Sequence, residues 1–317
     1  MKTVSSRKFA LIACVAALAA GSTFYSSAQT GDPWYPSKWG AQDELGAANL
    51  LTPQRALAAA QLVRTGKTYS LGVPVSASFP TSATRGCRLY VVPYPPNPAA
   101  PTVSGHDDLL NCWNGIGTQI DGLGHAGISG FFYNGNKQDD ILSLAGLRKL
   151  GVDKIPPMVT RGVLLDMAAL FATDVVKEGT AFNRKEIDDA ATRQGIQIRE
   201  GDVVLFHTGW LSLVGKDDRR YLSGEPGLGK EGALYLASKG VVAIGADNWA
   251  LEAVPWERGV TVFEIHQTLL AKNGIYILEN IATAELAQDK AYEFMFVLGQ
   301  NKYRGAVQSM VNPIAIR

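Results

Sequence analysis

The chain has 317 residues, 30 Lys and Arg against 29 Asp and Glu, and a formal charge of +1. No basic block or stripe remains beyond the first few residues, which argues against nucleic acid and against anionic membrane surfaces as partners. At 46% hydrophobic residues it has the composition of an ordinary globular protein, and three cysteines are too few for a disulfide scaffold.

In chain order, "MKTVSSRKF" carries Lys2, Arg7 and Lys8 and is followed by the apolar run "ALIACVAALAAG". That run is too short to span a bilayer with ordinary flanks. Ser26 and Ala28 then supply the small residues of a signal-peptidase site. Residues 1–28 therefore read as a secretory signal peptide, leaving one domain over 29–317 in the periplasm or outside the cell. "LIAC" offers a competing lipobox at Cys14, but the apolar run continues past that cysteine. Cleavage removes three cations and leaves 27 Lys and Arg against 29 acids. Cys87 and Cys112 remain, free to pair in an oxidising compartment or to stay as separate thiols.

The mature chain opens with Trp34, Tyr35 and Trp39 among turn residues. "TPQRALAAAQLV" predicts a helix capped by Thr52 with Pro53 at its first position. "TYSLGVPVS" predicts a strand. Residues 79–108 are Pro-rich and read as a long surface excursion with one short strand. "KQDDILSLAGLRKLGV" predicts a helix. "RGVLLDMAAL", "GDVVLFHTGW", "VVAIGAD", "IYILEN" and "YEFMFVLGQ" read as buried strands. Between them, "NRKEIDDAATRQGI" from Asn183, "GKEGALYLASKG" and most of "VTVFEIHQTLLAKNG" read as helices. Near-continuous apolar strands alternating with helices imply an α/β fold with a covered sheet.

"GLGKEG", Gly227 to Gly232, matches a dinucleotide fingerprint, with Asp247 20 residues beyond it. The fingerprint needs a strand running into its first glycine, and polar, turn-rich "KDDRRYLSGEP" precedes it instead. An oxidoreductase is thus the weakest of three readings.

The stretch "GIGTQIDGLGH", Gly115 to His125, sets Gln119, Asp121 and His125 on a nearly bare backbone. Metal sites need donors converging from separate elements. Asp121 and His125 supply two, and His266 and Glu279 flank a later helix-to-strand connection. Glu279 lies in an apolar strand, where a buried carboxylate must be paired, protonated or metal-bound. A salt bridge for Glu279 and a hydrogen-bonded loop histidine for His125 are the alternatives.

"GTQIDGLGH" resembles the signature H-x-G-T-H-x-D-x-P-x-H of the cyclase family of metal-dependent hydrolases, the group containing bacterial kynurenine formamidases and isatin hydrolases. "WGAQDELGAANLLTP", "RGVLLDMA", "GDVVLFHTGW" and "IHQTLLAKNGIYILENI" resemble family segments in family order. The match is to a longer branch with G-T-Q in place of G-T-H. It implies a single cyclase-like domain with a mixed central β-sheet or barrel-like β core and flanking helices. Gly117, Thr118, Asp121 and His125 match the motif; Gly115 and Gln119 stand where it has histidines, and Leu123 where it has proline. The resemblance further implies a divalent metal, Zn or Mn, held by Asp121, His125 and Glu279, with Gln119 able to add a carbonyl oxygen. His266 then falls at the family's catalytic histidine and would shuttle protons. His207, Trp210, Trp34 and Trp39 are pocket candidates. The family is usually dimeric or larger, so a homo-oligomer acting on a small molecule is expected. The reaction would be hydrolysis of an amide, formamide, lactam or lactone. An exported binding protein using the same pocket without turnover is the alternative.

Export with cleavage near Ala28 is checked by N-terminal sequencing of the secreted product. Finding Met1 or an acylated Cys14 on the mature protein would refute it.

Overall fold

The computed structural model describes residues 34–82 and 84–317, so the signal-peptide reading of residues 1–28 lies outside the described part. Nine strands form one mixed sheet. In spatial order they are Thr68–Ser70, Ile314–Ile316, Glu293–Leu298, Met158–Asp166, Val203–His207, Ala243–Ala246, Tyr276–Glu279, Gln119–Asp121 and Gln308–Met310. The four strands from Met158–Asp166 to Tyr276–Glu279 run parallel to their neighbours in this order. They are apolar along nearly their whole length and buried almost throughout, as strands covered on both faces must be. The remaining pairings are antiparallel.

Helix Arg184–Gln194 shows how the covering layer is fixed. Glu186 accepts from the backbone N–H of Asn183 at 3.0 Å, Gly195 ends the helix at φ 70°, and Ile187, Ala190 and Ala191 face inward. Helix Pro53–Ala60 begins as expected, with Thr52 accepting from the Arg55 N–H at 3.3 Å. Arg161, on the long central strand, forms a two-pronged pair with Asp202 at 2.9 and 2.6 Å.

Four segments depart from the sequence reading. Only Gln138–Ile141 of the expected helix over 137–152 is helical. Leu142 turns extended, Gly146 and Leu150 take positive φ, and the Leu147 and Val152 N–H groups donate to the Gly305 and Ala306 carbonyls. The strand expected over "TYSLGVPVS" stops at Ser70, because the Leu71 and Gly72 N–H groups donate to Pro313 and Asn312 instead. The Pro-rich excursion contains a hairpin, Cys87–Pro93 paired with His106–Cys112. A Cys87–Cys112 disulfide closes its base. Residues 264–272 are helical, but Gln267–Lys272 is a π-helix.

The "GLGKEG" stretch follows helix Asp218–Ser223, not a strand, and Gly227–Leu228 pairs with Ala181–Phe182 and bridges to Glu252, outside the nine-stranded sheet. Asp247 accepts from Thr208 N–H, Thr208 O–H and Gly209 N–H, leaving it no role toward a ribose.

Arg161→Leu leaves Asp202 buried without its counter-charge. The expected loss of unfolding free energy is about 3–5 kcal/mol, measured from denaturant midpoints.

Candidate functional site

Strand register builds the site. Gln119 and Asp121 lie two residues apart on one strand and share a face. Gln119 stands opposite Glu279 on one neighbour, and Asp121 stands opposite Gln308 on the other. The Gln119 amide donates to Glu279 Oε2 at 2.5 Å, and the Gln308 amide donates to Asp121 Oδ1 at 2.8 Å. Each carboxylate thus has one oxygen fixed by a side-chain amide and the other turned toward the histidines.

The backbone leading into this strand is held from three sides. Gly117 has φ 66°, and a Cβ there would lie 2.3 Å from Val75 Cγ2, so glycine is required. Thr118 donates to the Asn280 carbonyl at 2.6 Å and accepts from the Val73 N–H at 2.9 Å. Asn280, itself at φ 54°, donates to the Gly117 carbonyl at 3.0 Å and accepts from the Tyr221 hydroxyl.

His266 comes from helix Glu264–His266. Its Nδ1 lies 2.6 Å from Glu252 Oε1. That contact orients the ring so that Nε2 lies 3.3 Å from Glu279 Oε1 and 3.7 Å from Asp121 Oδ2. His125 Nε2 approaches the same Asp121 Oδ2 at 3.8 Å. Asp121, His125 and His266 each offer a donor atom within 4.8 Å of the others. Among the described residues, two buried polar atoms lack any partner, Gln119 Oε1 and Asp121 Oδ2.

This is a crowded acidic interior. Asp121 and Glu252 are fully buried, and Glu279 is nearly so. Burial and the Asp121 charge push the Glu279 carboxyl up to about 7. Burial works against the His266 imidazolium, but its bonds to Glu252 and Glu279 outweigh this and raise it to about 10. Burial holds His125 below its usual value. Excess carboxylate, a partnerless Asp121 oxygen and two convergent imidazoles fit a divalent cation.

Gln119, His125, His266, Glu279 and Gln308 of this cluster line a cavity of about 520 Å³, together with Trp249, Phe263, Phe79 and Arg85. No helix among the described residues is long and apolar enough to cross a membrane.

A family model described as "Putative cyclase" matches residues 69–253, and a solved structure described as a novel cyclase is 30% identical. It covers 88% of this chain and 98% of its own, with a TM-score of 0.79. The chain belongs to the cyclase family. Two more distant structures share the fold. Isatin hydrolase A from Ralstonia solanacearum is 22% identical over 84% of this chain and 98% of its own, with a TM-score of 0.61. A "potential metal-dependent hydrolase with cyclase activity" is 18% identical over 78% and 98%, with a TM-score of 0.52. No curated protein gives a significant match.

In this chain, Asp121, His125, Glu279, Gln119 and His266 come together as the sequence reading grouped them. The four pocket candidates do not line the cavity. His207 bonds Thr283 at 2.8 Å and lies 3.3 Å from Asp247. Trp210 is fully buried and donates to the Tyr221 carbonyl. Trp34 packs on Tyr35, which stacks on Phe131. Trp39 packs against the core beneath Lys38. His106 sits exposed at the far end of the hairpin. Glu252, Gln308 and Arg85 were missed. Only Glu252 gave a sequence signal, as an acid among apolar and aromatic residues in "WALEAVPW".

Thr118→Val keeps the shape but strands the Val73 N–H and the Asn280 carbonyl. The expected cost is about 1–3 kcal/mol, read from chemical denaturation.

Proposed function

We propose that this cyclase-family protein is a metal-dependent hydrolase. It cleaves a C–N or C–O carbonyl bond, as in an amide, formamide, lactam or lactone, of a small aromatic-bearing molecule. The observation that carries this is the partnerless Asp121 Oδ2, fully buried between the Nε2 atoms of two histidines. The names of the structural neighbours, isatin hydrolase and metal-dependent hydrolase, support the reaction class. The aromatic cavity walls support the substrate class.

Asp121, His266 and Glu279 would hold the cation. A divalent ion bound there supplies Lewis acidity toward a carbonyl oxygen and acidifies water. Zn and Mn both suit one imidazole with two carboxylates. The structure favours exchanging the roles expected of the two histidines. His266 is nearly buried, and its second nitrogen faces Glu252, the arrangement typical of a metal-ligating histidine. The His125 side chain keeps 24% exposure, faces the cavity and makes no side-chain hydrogen bond among the described residues. It is therefore placed to take a proton at Nε2 from the attacking water and return it to the leaving nitrogen or oxygen. Gln119 and Gln308 hold Glu279 and Asp121 in place.

We also infer one metal per chain. Gly115 contributes no donor, and a Cβ there would lie 2.8 Å from Arg85 Nη1, so a fixed cation occupies that neighbourhood. The Cys87–Cys112 disulfide supports an exported, periplasmic or secreted, protein. Leu89, Val91 and Leu109, exposed on the hairpin, support a homo-oligomer.

Elemental analysis and a hydrolysis screen on carbonyl substrates test the reading. One equivalent of metal and turnover are expected. His266→Ala should empty the site and abolish activity. His125→Ala should keep the metal and slow turnover by roughly 10² to 10⁴. If His125→Ala empties the site instead, His125 is a ligand. Metal without turnover of any carbonyl substrate would favour the binding-protein reading.

A further inference from the structure

Among the described residues, Arg85 is the one cavity-lining cation that the proposed chemistry leaves unused. It lies on the segment entering the hairpin, two residues before Cys87. Its side chain folds back over the first glycine of the motif, and Nη1 donates to the Gly115 carbonyl at 2.7 Å. A guanidinium carries five N–H donors in a planar fork. That backbone contact is the only hydrogen bond it makes as a donor among the described residues, and no carboxylate lies within ion-pair distance of it there.

Its neighbours explain why the fork is held without a partner. The space that a side chain at position 115 would fill holds the Arg85 Nη1 and the Gln308 amide, at 2.8 Å each from an ideal Cβ. Gln308 is in turn anchored on Asp121. The guanidinium therefore stands beside the acidic cluster, close enough for its charge to bear on both His125 and Glu279. It cannot reach far into solvent while it holds Gly115. An arginine kept half-buried in the cavity lining, with most donors free and aromatic residues lining the same cavity, has the geometry of a carboxylate receptor.

We propose that Arg85 is the specificity-determining residue of this cavity and binds a carboxylate of the ligand. The preferred ligand class is then small aromatic acids, including the acid that amide hydrolysis itself produces. In that reaction the C–N bond breaks, water's oxygen joins the carbonyl carbon, one of its protons goes to the leaving nitrogen, and the other is released as the new acid ionises to a carboxylate. The substrate-borne and the product-borne carboxylate share this chemistry. The assignment builds on the hydrolase reading but is tested without turnover.

The probes are benzoate and its neutral isostere benzamide, titrated by calorimetry into the protein as purified. Wild type should bind benzoate at least tenfold more tightly than benzamide. Arg85→Gln should weaken benzoate by roughly ten- to hundredfold, the range for a lost charge-assisted contact, and change benzamide less than twofold. Arg85→Lys should recover part of the loss, and it guards against a folding defect in the glutamine variant. Equal weakening of both probes, or no change in benzoate, would overturn the proposal. On hydrolysed substrates, a rise in KM confined to acid-bearing compounds identifies a substrate-borne carboxylate. Relief of inhibition by the acid product, at unchanged KM for neutral compounds, identifies the product-borne one.

Discussion

Three carboxyl groups, those of Asp121, Glu252 and Glu279, are packed around one imidazole in the buried interior. Burying even one ionised carboxylate costs several kcal/mol unless it is compensated. The surrounding structure supplies that compensation piece by piece. Two glutamine amides each hold an oxygen, the His266 ring bridges Glu252 and Glu279, and Trp256 Nε1–H donates to the second oxygen of Glu252 at 2.8 Å. Among the described residues, Asp121 Oδ2 is the one oxygen of these three carboxyl groups left in the interior with no hydrogen-bond partner, beside the equally partnerless Gln119 Oε1. The mixed topology follows the same constraint. The parallel strands carry Glu279 at a strand end, and only an antiparallel three-residue strand beside it brings two polar residues onto the same face. Asn280, just past Glu279, then ties that strand's entry to the back of the cavity through Gly117, Thr118 and Tyr221.

The sequence makes the central architecture readable because its strands are short, apolar runs bounded by clear helix caps. Val203–His207 and Tyr276–Glu279 need no tertiary information to be recognised. The strand Gln119–Asp121 is different. Three residues between glycines have no periodicity of their own, and they become a strand only because two neighbours offer matching ladders. The hairpin was hidden by its prolines. The failed helix over 137–152 has acceptable local composition, and distant carbonyls near Gly305 decided against it. In the site, residues carrying both chemistry and a motif were legible: Asp121, His125, His266 and Glu279. Gln308 and Arg85 were not, since the roles of an ordinary glutamine and arginine arise from register and from the empty space over Gly115. His207 ends a strand and Trp210 opens a short helix just beyond it, but sequence does not say on which side of the wall such residues fall.

His266 sits at the junction where an α-helical turn gives way to the π-helix Gln267–Lys272. A π-turn carries an extra residue and weaker hydrogen-bond geometry than an α-turn, and such bulges concentrate where a side chain must be aimed. Removing one residue from this segment would restore the regular pitch. It would also rotate everything on one side by about 100° relative to the other. Thr268, Leu269, Leu270 and Ala271 are all buried, so that side cannot turn to compensate, and the imidazole would swing out of the acidic cluster. The helix is thus held in a less comfortable phase by the direction of one ring. A shorter, more regular version of this segment would be a better helix in a protein with no centre.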